Sequence, residues 1–306
     1  MSILVIGATF VDIKGFPYDN YLPTGRNAGR VEYVHGGVAR NVVEDIANVE
    51  LRPTFLSIVD DSPMGDAVIK KLRNHKVNTD YVLTRPDGLG TWLAVFDNNG
   101  DVAGSISKRP NMYPIAELLE EKGDEIFAQV SSVVLEIGLD KEIVKGTLEL
   151  AAKHNVKTFA LVANMSIAAE RRDLLQQFDC VICNQQEAGI LFLDDYDGKT
   201  PEEMQKILAE RIVAANIPAM VVTMGADGAV YASLQGETGI CPARKVQVKD
   251  TTGAGDSFCA GVAIGMTYGK TLAEAVEIGT TLAASVITSS ENVCPRFRPE
   301  EFGLQV

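Results

Sequence analysis

A short motif near the C-terminus combines the residue types that bind an anion and accept a proton. It reads Gly253-Ala254-Gly255-Asp256 and precedes a run of small apolar residues with helical spacing. Glycines at a helix start leave backbone N–H groups open to an anion, and the helix dipole favours negative charge there. A carboxylate beside such a cradle suits phosphoryl transfer, because the amides stabilise the moving group while Asp256 accepts a proton from the attacking hydroxyl. The alternative is a glycine-rich loop that only begins a helix.

Two places early in the chain offer groups for a ligand that carries hydroxyls. Gly36-Gly37 precedes a helical run containing Asn41, whose amide can both donate to and accept from a hydroxyl. Asp12 follows the first predicted strand by a few residues, where ligands gather in open α/β sheets. Each has a plain alternative, a tight turn for the glycines and a turn-forming or capping role for Asp12.

Glu136 is a carboxylate within the apolar run Val133–Ile137. A carboxylate at the end of a buried strand costs free energy unless it is paired or has a function. We therefore expect Glu136 to belong to a site.

Two later loops could contact a metal and a nucleotide. Asn184 and Glu187 share a face at i and i+3 of an emerging helix, and their oxygens suit partly hydrated Mg²⁺, although an ordinary exposed helix start would look the same. Thr223, Gly225 and Gly228 follow a predicted strand and could offer a hydroxyl and amides to a phosphate, or form a tight turn between strands. The chain has neither GxxxxGK[ST] nor GxGxxG, which excludes a P-loop enzyme and a standard dinucleotide binder.

An alternation of short apolar runs and amphipathic stretches must position these residues. The predicted core strands are Ile3–Ile6, Thr54–Val59, Val133–Ile137, Thr158–Val162, Cys180–Ile182 and Met220–Thr223. Predicted helices include Lys141–His154 and Glu202–Ala215, and Asp61-Ser62-Pro63 is typical of a helix start. This alternation predicts an α/β fold with a mainly parallel sheet covered by helices on both faces.

Two segments interrupt the alternation, at about 13–34 and 89–109. The first is rich in turn formers and ends in a strand-like run, and the second contains Asn98-Asn99-Gly100 between two strand-like runs, a strong hairpin signal. They predict a small β lid over a cleft, with surface decoration as the alternative. Because no repeat or linker is visible, we treat residues 1–306 as a single domain.

Composition limits the partners. The net charge of −13 argues against nucleic acid and against an anionic membrane surface, but it permits an anionic small molecule held by amides. The five cysteines are scattered, and Cys180 and Cys183 lie in an apolar run without a second pair, which favours reduced core thiols over a metal site. The chain begins as a strand and has no membrane-length apolar run, so we expect a cytoplasmic protein.

Together these residues resemble the ribokinase-like (phosphofructokinase-B) family of carbohydrate and nucleoside kinases. The match runs over essentially the whole chain in the family's order, and Asp250–Asp256 is its most specific motif. The resemblance implies a three-layer α/β/α sandwich with a β lid, ATP as phosphoryl donor, Mg²⁺, and a sugar hydroxyl as acceptor. It also implies a homodimer formed through the lid.

The resemblance also implies roles for individual residues. Asp256 is the expected base, and Gly253, Ala254 and Gly255 form the anion hole. The expected substrate contacts are Asp12, Gly36, Gly37, Arg40, Asn41 and Glu136. The expected ATP contacts are Asn184, Thr223, Gly225, Gly228 and Thr252, with Asn184 and Glu187 holding Mg²⁺ partly through water. Asp250, Thr252, Ser285 and Ser290 lie where family members often hold a monovalent cation, which predicts activation by K⁺.

The state of Asp256 can be predicted from its position at a helix start. The helix dipole favours the charged form, so we expect an ionised carboxylate that is a weak base. A loose transition state needs little early proton abstraction, and such a base would suffice.

The acceptor is less well specified than the reaction. The run from Gly36 to Ala47 is most similar to the pseudouridine kinases of the family, which makes the 5′-hydroxyl of pseudouridine the leading acceptor. Within it, Arg40 could bond to or stack on a planar base, or point to solvent. Ribose or another furanose comes next, then other nucleosides or sugar acids. A non-catalytic, ligand-sensing relative is the alternative from another class, but such a chain should have lost Asp256 or an anion-hole glycine.

Overall fold

A nine-stranded sheet forms the centre of the molecule in the computed structural model, which describes residues 1–162, 169–170 and 172–305. Its strands are β1 (Ile3–Ile6), β4 (Thr54–Val59), β5 (Val82–Thr84), β8 (Ser132–Glu136), β9 (Lys157–Leu161), β10 (Cys180–Asn184), β11 (Ala219–Thr223), β12 (Ala229–Ser233) and β13 (Thr238–Cys241). They lie in the order β13-β12-β11-β10-β9-β8-β1-β4-β5. The pairs from β5 to β11 are parallel, and β12 and β13 add an antiparallel edge.

Helices cover both faces of this sheet. They are α1 (Val38–Asn48), α2 (Pro63–Asn74), α3 (Tyr113–Phe127), α4 (Lys141–His154), α5 (Arg172–Leu175), α6 (Gln185–Phe192), α7 (Pro201–Ala215), α8 (Ala254–Thr267) and α9 (Leu272–Val286). One core lies beneath α1, α2, α8 and α9, and a second lies beneath α3, α4, α6 and α7. Successive residues of β1 enter opposite cores, as the period of a strand requires. The predicted three-layer sandwich is confirmed.

A separate four-stranded sheet forms the predicted β lid. It contains β2 (Phe10–Pro17), β3 (Gly29–Gly36), β6 (Gly90–Phe96) and β7 (Val102–Lys108) in the order β3-β2-β6-β7. The hairpin between β6 and β7 lies where Asn98-Asn99-Gly100 predicted it. Strand β2 begins at Phe10 and so includes Asp12, although the sequence had predicted mainly turns after residue 13.

Neighbouring residues of the lid strands face opposite sides. Asp12 lies in register with Trp92, and Trp92 in register with Ser107. Because side chains alternate along a strand, this row faces the cavity described below, and the next row faces outward.

Two further findings concern the described residues. The five cysteines are all free and buried, as predicted. In this part of the chain, no helix combines the length and apolar character needed to cross a membrane.

Candidate active site

A cavity of about 770 Å³ lies between the lid and the ends of the central strands. Eight of the predicted site residues line it: Asp12, Gly36, Gly37, Asn41, Glu136, Thr252, Gly253 and Asp256. They come from both sheets and from the starts of α1 and α8. The fold therefore brings together residues more than two hundred positions apart in the chain.

The lid contributes Asp12 from β2. Burial raises the pKa of this carboxyl, while the charges of Lys14 and Arg40 lower it. Gly36 lies directly behind it, and a Cβ added at Gly36 would lie 2.6 Å from Asp12 Oδ1. A glycine is needed there because any side chain would displace the carboxylate from the cavity wall.

The anion cradle is predicted in the loop before α8, where Ala254 N donates to Thr251 O at 3.2 Å within the loop. Gly253 has a φ of 82°, and a Cβ added there would lie 2.1 Å from the carbonyl oxygen of Asn292. Both observations require glycine. At Gly255 the Cβ position has no other atom within 4 Å, so this face of the helix start is open to a ligand. Asp250 shapes the approach, since its Oδ1 accepts from Thr252 N at 2.9 Å.

Asp256 lies in the first turn of α8, at the floor of the cavity. Its Oδ2 accepts a hydrogen bond of 2.6 Å from Asn41 Nδ2. Its pKa is raised to about 7: burial is the largest cause, the hydrogen bond from Asn41 and the charge of Arg40 oppose it, and the charges of Glu136 and Glu187 add to it. This raised pKa runs against the expectation of a fully ionised, weakly basic Asp256, because loss of solvation disfavours the charged form. A carboxyl that titrates near neutral pH is a better general base than the weak one expected.

Glu136 closes the floor of the cavity at the end of β8. Its Oε2 accepts from Ala8 N at 2.9 Å, which joins the ends of β8 and β1. Burial raises its pKa, and the charge of Arg109 opposes that shift. The carboxylate is thus both paired with the backbone and exposed to the cavity.

A second group of predicted residues lies along the sheet at β10 and β11. Asn184 and Thr223 are in register on these neighbouring parallel strands. Asn184 Oδ1 accepts from Glu187 N and Glu187 Oε2 accepts from Asn184 N, both at 2.8 Å, so the pair forms a capping box for α6. The helix-start alternative is therefore realised in the structure. Burial raises the pKa of Glu187.

The glycines after β11 form a turn into β12. Residues Gly225–Asp227 make one turn of 3₁₀ helix, and Gly228 has a φ of 98°. The tight strand-to-strand turn that the sequence left open is what the structure contains. The turn lies beside Asn184 and not in the wall of the 770 Å³ cavity.

The segments named for a monovalent cation are adjacent. Lys249 N donates to Ile287 O at 2.7 Å, which brings the Asp250 loop beside the end of α9. The hydroxyl of Ser285 donates to Leu282 O, and Ser290 is exposed. Among the described residues, no three His, Cys, Asp or Glu side chains are grouped closely enough to hold a metal.

Arg40 does not contact the cavity. Its side chain is fully buried, and it donates to the carboxylate of Glu44, to His35 O and to Asn41 Oδ1. The structure contradicts the expectation that Arg40 contacts the planar nucleobase of a substrate. It also excludes the alternative in which Arg40 points to solvent. The physical reason is Glu44, four residues later on the same helix face, which pairs with the guanidinium inside the protein.

Sequence reasoning missed several residues of the cavity wall. They include Phe10, Trp92, Arg109 and Asn292. Trp92, the single tryptophan of the chain, could have been found from strand alternation once Asp12 was assigned to a paired strand. Asn292 had no local signal, because only tertiary folding brings its Nδ2 within 2.9 Å of His35 O.

Comparisons with known proteins match nearly the whole chain. The model of the family described as pfkB family carbohydrate kinase matches residues 1–294. The guanosine-inosine kinase of Exiguobacterium acetylicum is 35% identical over 293 residues, which is 95% of this chain and 96% of that protein. The pseudouridine kinase of Escherichia coli K12 is 27% identical over 276 residues, covering 90% of this chain and 86% of the relative.

A solved structure agrees with the fold. The ribokinase of Arabidopsis thaliana, solved in complex with ribose and ATP, superposes with a TM-score of 0.86 at 20% identity. The alignment covers 98% of this chain and 97% of that one. The likeness extends over the lid as well as the central sheet.

Proposed function

Because the chain belongs to the pfkB family of carbohydrate kinases, which use ATP to phosphorylate a sugar or nucleoside hydroxyl, we propose that its acceptor is the 5′-hydroxyl of a ribonucleoside. Guanosine and inosine are the first acceptors in this proposal, and pseudouridine is the second. The sequence had favoured pseudouridine, partly through Arg40, but that residue does not face the cavity.

The observation that carries the proposal is the position of Trp92 beside Asp12. The two residues are in register on adjacent lid strands and line the same cavity. A carboxylate suits the ribose hydroxyls, and an aromatic face next to it suits a planar base. A free sugar has no planar base to stack on that aromatic surface.

Two further observations support a nucleoside over a free sugar. The cavity of about 770 Å³ falls in the range of pockets that hold drug-sized ligands, and it exceeds the needs of one pentose. The relative from Exiguobacterium acetylicum, which carries its substrates in its name, matches along nearly its whole length. Pseudouridine stays second because the Escherichia coli relative also matches over most of its length.

In the proposed mechanism the acceptor hydroxyl lies against Asp256. Asn41 holds Oδ2 of that carboxylate, which leaves Oδ1 to accept the hydroxyl proton as the oxygen attacks phosphorus. Backbone amides of the loop at Gly253 and Gly255 stabilise the charge of the transferred group, and the open space beside Gly255 admits it. Because the transition state is loose, proton transfer follows much of the bond cleavage, and a carboxyl with a pKa of about 7 is sufficient.

The ions of the reaction fit the chain in different ways. Mg²⁺ takes most of its ligands from nucleotide phosphates and water, and Asn184 with Glu187 would hold it through that water shell. When bound, Mg²⁺ neutralises charge on the phosphates. A K⁺ site near Asp250 stays a prediction, tested by the response of turnover to KCl against a sodium control.

The acceptor assay uses the purified full chain with ATP and MgCl₂. Guanosine, inosine, adenosine, pseudouridine, uridine and ribose are compared by kcat/KM, and the product is identified by mass spectrometry. We expect guanosine or inosine to exceed ribose by about 100-fold or more, since a buried base contributes several kcal/mol of binding. Preference for ribose would contradict the proposal, and preference for pseudouridine would reverse the order of the nucleosides.

A variant of Trp92 separates the base from the sugar. Trp92→Leu should raise KM for guanosine about 10-fold or more, because stacking on the ring is lost, and should change kcat/KM for ribose less than about threefold. An equal loss for both acceptors would assign Trp92 to lid structure instead.

We also propose that the outer face of the lid joins two copies of the chain. Tyr33, Leu93 and Ile106 lie in one cross-strand row on that face, and all three are exposed. An apolar row on a sheet face favours association. Light scattering should give a dimer, and Ile106→Glu a monomer, whereas Val213→Glu, which alters an exposed apolar residue on α7, should not change the mass. A wild-type monomer would contradict this.

A further inference from the structure

Arg40 is a buried cation in an unfavourable place. It is the third residue of α1, and its side chain is fully buried. A positive charge in the first turn of a helix opposes the helix dipole, and a buried charge is costly unless it is paired. Within the helix, only the i,i+4 pair with Glu44 favours arginine at this position.

The guanidinium makes four hydrogen bonds, which use four of its five N–H donors. It donates to the carboxylate of Glu44, to His35 O, to Asn41 Oδ1 and, from Nε, to Gly36 O at 3.4 Å. Glu44 is also fully buried and forms a second ion pair with Lys71 at 2.9 Å. The arginine is thus fixed by groups from β3 and α1 and has no freedom to reach the cavity.

These contacts decide which way the Asn41 amide points. Arginine has only N–H donors, so the atom of Asn41 that faces it must be the oxygen. The NH₂ group is then directed at Asp256, where Nδ2 donates at 2.6 Å. A flipped amide would set NH₂ against the guanidinium and oxygen against a carboxylate, two repulsive contacts in place of two hydrogen bonds.

We propose that Arg40 is a positioning residue for phosphoryl transfer: it locks the Asn41 amide in the orientation that holds the Asp256 carboxylate, and Glu44 fixes Arg40 and balances its charge. The proposal rests on the function proposed above, in which Asp256 is the base. It gives Arg40 a role in the rate of the reaction and none in binding the acceptor.

The pH dependence of kcat/KM tests the proposal, because the charges around Asp256 set its pKa. Arg40, Asn41 and Asp45 face it from α1, Glu136 from β8, and Glu187 from α6, while Cys259 lies on its own helix. Among these, Arg40 and Asn41 lower the pKa of Asp256, against burial and the acidic neighbours. Loss of Arg40 should therefore raise that pKa and move the acid limb of kcat/KM to higher pH.

The decisive variant replaces both members of the buried pair. Arg40→Met with Glu44→Met leaves no buried charge unpaired, and such replacements are often neutral for stability. Lys71, which is partly exposed, can return to water. We expect a folded protein whose kcat falls about 10- to 100-fold through misplacement of the base, with KM for guanosine changed less than about threefold. The acid limb of kcat/KM should also move to higher pH.

A double-mutant cycle with Asn41 tests the route of the effect. In an Asn41→Ala background the same Met pair should lower kcat by no more than about threefold, because the group that Arg40 positions is already absent. Lys71→Met is the matched control, since it removes another partner of Glu44 that does not contact Asn41, and it should keep the wild-type kcat and acid limb.

Three outcomes overturn the proposal: a Met pair with wild-type kcat and pH profile, losses that multiply in the Asn41→Ala background, or a Lys71→Met variant that loses as much as the Met pair. If the Met pair fails to fold, Arg40→Lys is measured, which keeps the charge beside Glu44 but lacks the planar fork that reaches Glu44 and Asn41 together. It should lower kcat several-fold, and wild-type kcat would overturn the proposal. A wild-type chain that phosphorylates no nucleoside would instead contradict the proposed function.

Discussion

The proposed acceptor side and the proposed nucleotide side of the site are built differently. On the acceptor side, Asn41 and Asp256 bond directly to each other, and a buried ion pair stands behind them. On the nucleotide side, Asn184 and Glu187 bond to each other's backbone as a helix cap, and Asn184 is exposed. One side is a pre-formed network of buried charge, and the other is an ordinary helix start.

This difference shows which side of the site contains groups whose burial lowers the stability of the fold. Holding carboxylates in a buried cluster is costly, and it is justified where their protonation controls the reaction. A nucleotide with its own metal ion brings most of its charge and ligands with it, so an open edge of the sheet suffices. Substitutions on the acceptor side should therefore have the larger effects on rate.

The largest effect is expected for Asp256→Asn. The variant keeps the size of the side chain but cannot accept a proton, so kcat should fall about 10²- to 10⁴-fold. Nucleotide affinity, measured by calorimetry with a non-hydrolysable ATP analogue, should stay within about threefold, because the donor side is untouched. Near-normal turnover would remove Asp256 from the role of base.

Gly253→Ala should have the next largest effect. The added methyl group meets the Asn292 carbonyl and the backbone is held at positive φ, so the anion cradle must shift. We expect kcat to fall about 100-fold, the loss typical of a misplaced charge-stabilising donor. Gly236→Ala is the control, since Gly236 also has positive φ, at 88°, but has open space around it in the turn after β12. It should lower stability by about 1 kcal/mol and leave kcat unchanged. Similar kinetics for the two variants would argue against the cradle.

A smaller effect concerns stability on the acceptor side. Asp45 is fully buried, accepts from Ser257 Oγ at 2.7 Å and from Cys294 N at 2.6 Å, and burial raises its pKa to about 7. Between about pH 4 and pH 7 the folded state binds the proton more tightly than the unfolded state, so this group's contribution to the free energy of unfolding falls as pH rises. Asp45→Asn imitates the protonated form and should gain about 2 kcal/mol relative to wild type between pH 5 and pH 7.

Urea denaturation of both proteins at several pH values measures that difference. A difference in free energy of unfolding that does not vary with pH would show that Asp45 titrates near its ordinary value. Asp60→Asn, at a partly exposed helix-start carboxylate outside the cluster, provides the baseline.

The smallest effect is expected on the nucleotide side, for Asn184→Ala. Loss of the cap should cost about 1 kcal/mol of stability, and KM for ATP should rise a few-fold with kcat for the acceptor nearly unchanged. Thr271→Ala removes an equivalent capping box from α9, away from the site, and should lower stability equally without changing KM for ATP. A loss of kcat at Asn184 as large as at Gly253 would break the contrast between the two sides.

The sequence predicted the elements more closely than the contacts. Periodicity located β1, β4 and α4 with their observed bounds, because buried strands and amphipathic helices carry a strong hydrophobic pattern. Strand β2 was not predicted, because it contains turn formers and its apolar and polar residues alternate only weakly. It is defined by its pairing with β3 and β6, which the sequence does not show. The glycine motif likewise located the loop before α8, because the backbone at Gly253 requires glycine, and the role of that loop as an anion cradle stays a prediction.

The errors concern interactions between distant segments. Asp256 was expected to be ionised because the dipole of its own helix is visible in sequence, whereas burial beneath the lid and the carboxylates of Glu136 and Glu187 are not. Arg40 was expected to contact the nucleobase of the substrate because its sequence motif begins at the cavity wall. Glu44, at i+4, was a local signal for the buried pair that could have been weighed.

The pH dependence of kcat/KM tests the central claim most directly, that a buried network on the acceptor side sets the base. With guanosine as acceptor, kcat/KM of the wild-type chain should fall tenfold per pH unit below about pH 7, as Asp256 becomes protonated. Asp45→Asn should keep the slope of this limb, because Asp45 accepts no proton from the acceptor, and should move it to lower pH through loss of a neighbouring negative charge. A profile that stays flat from about pH 5.5 to pH 8 would contradict the account.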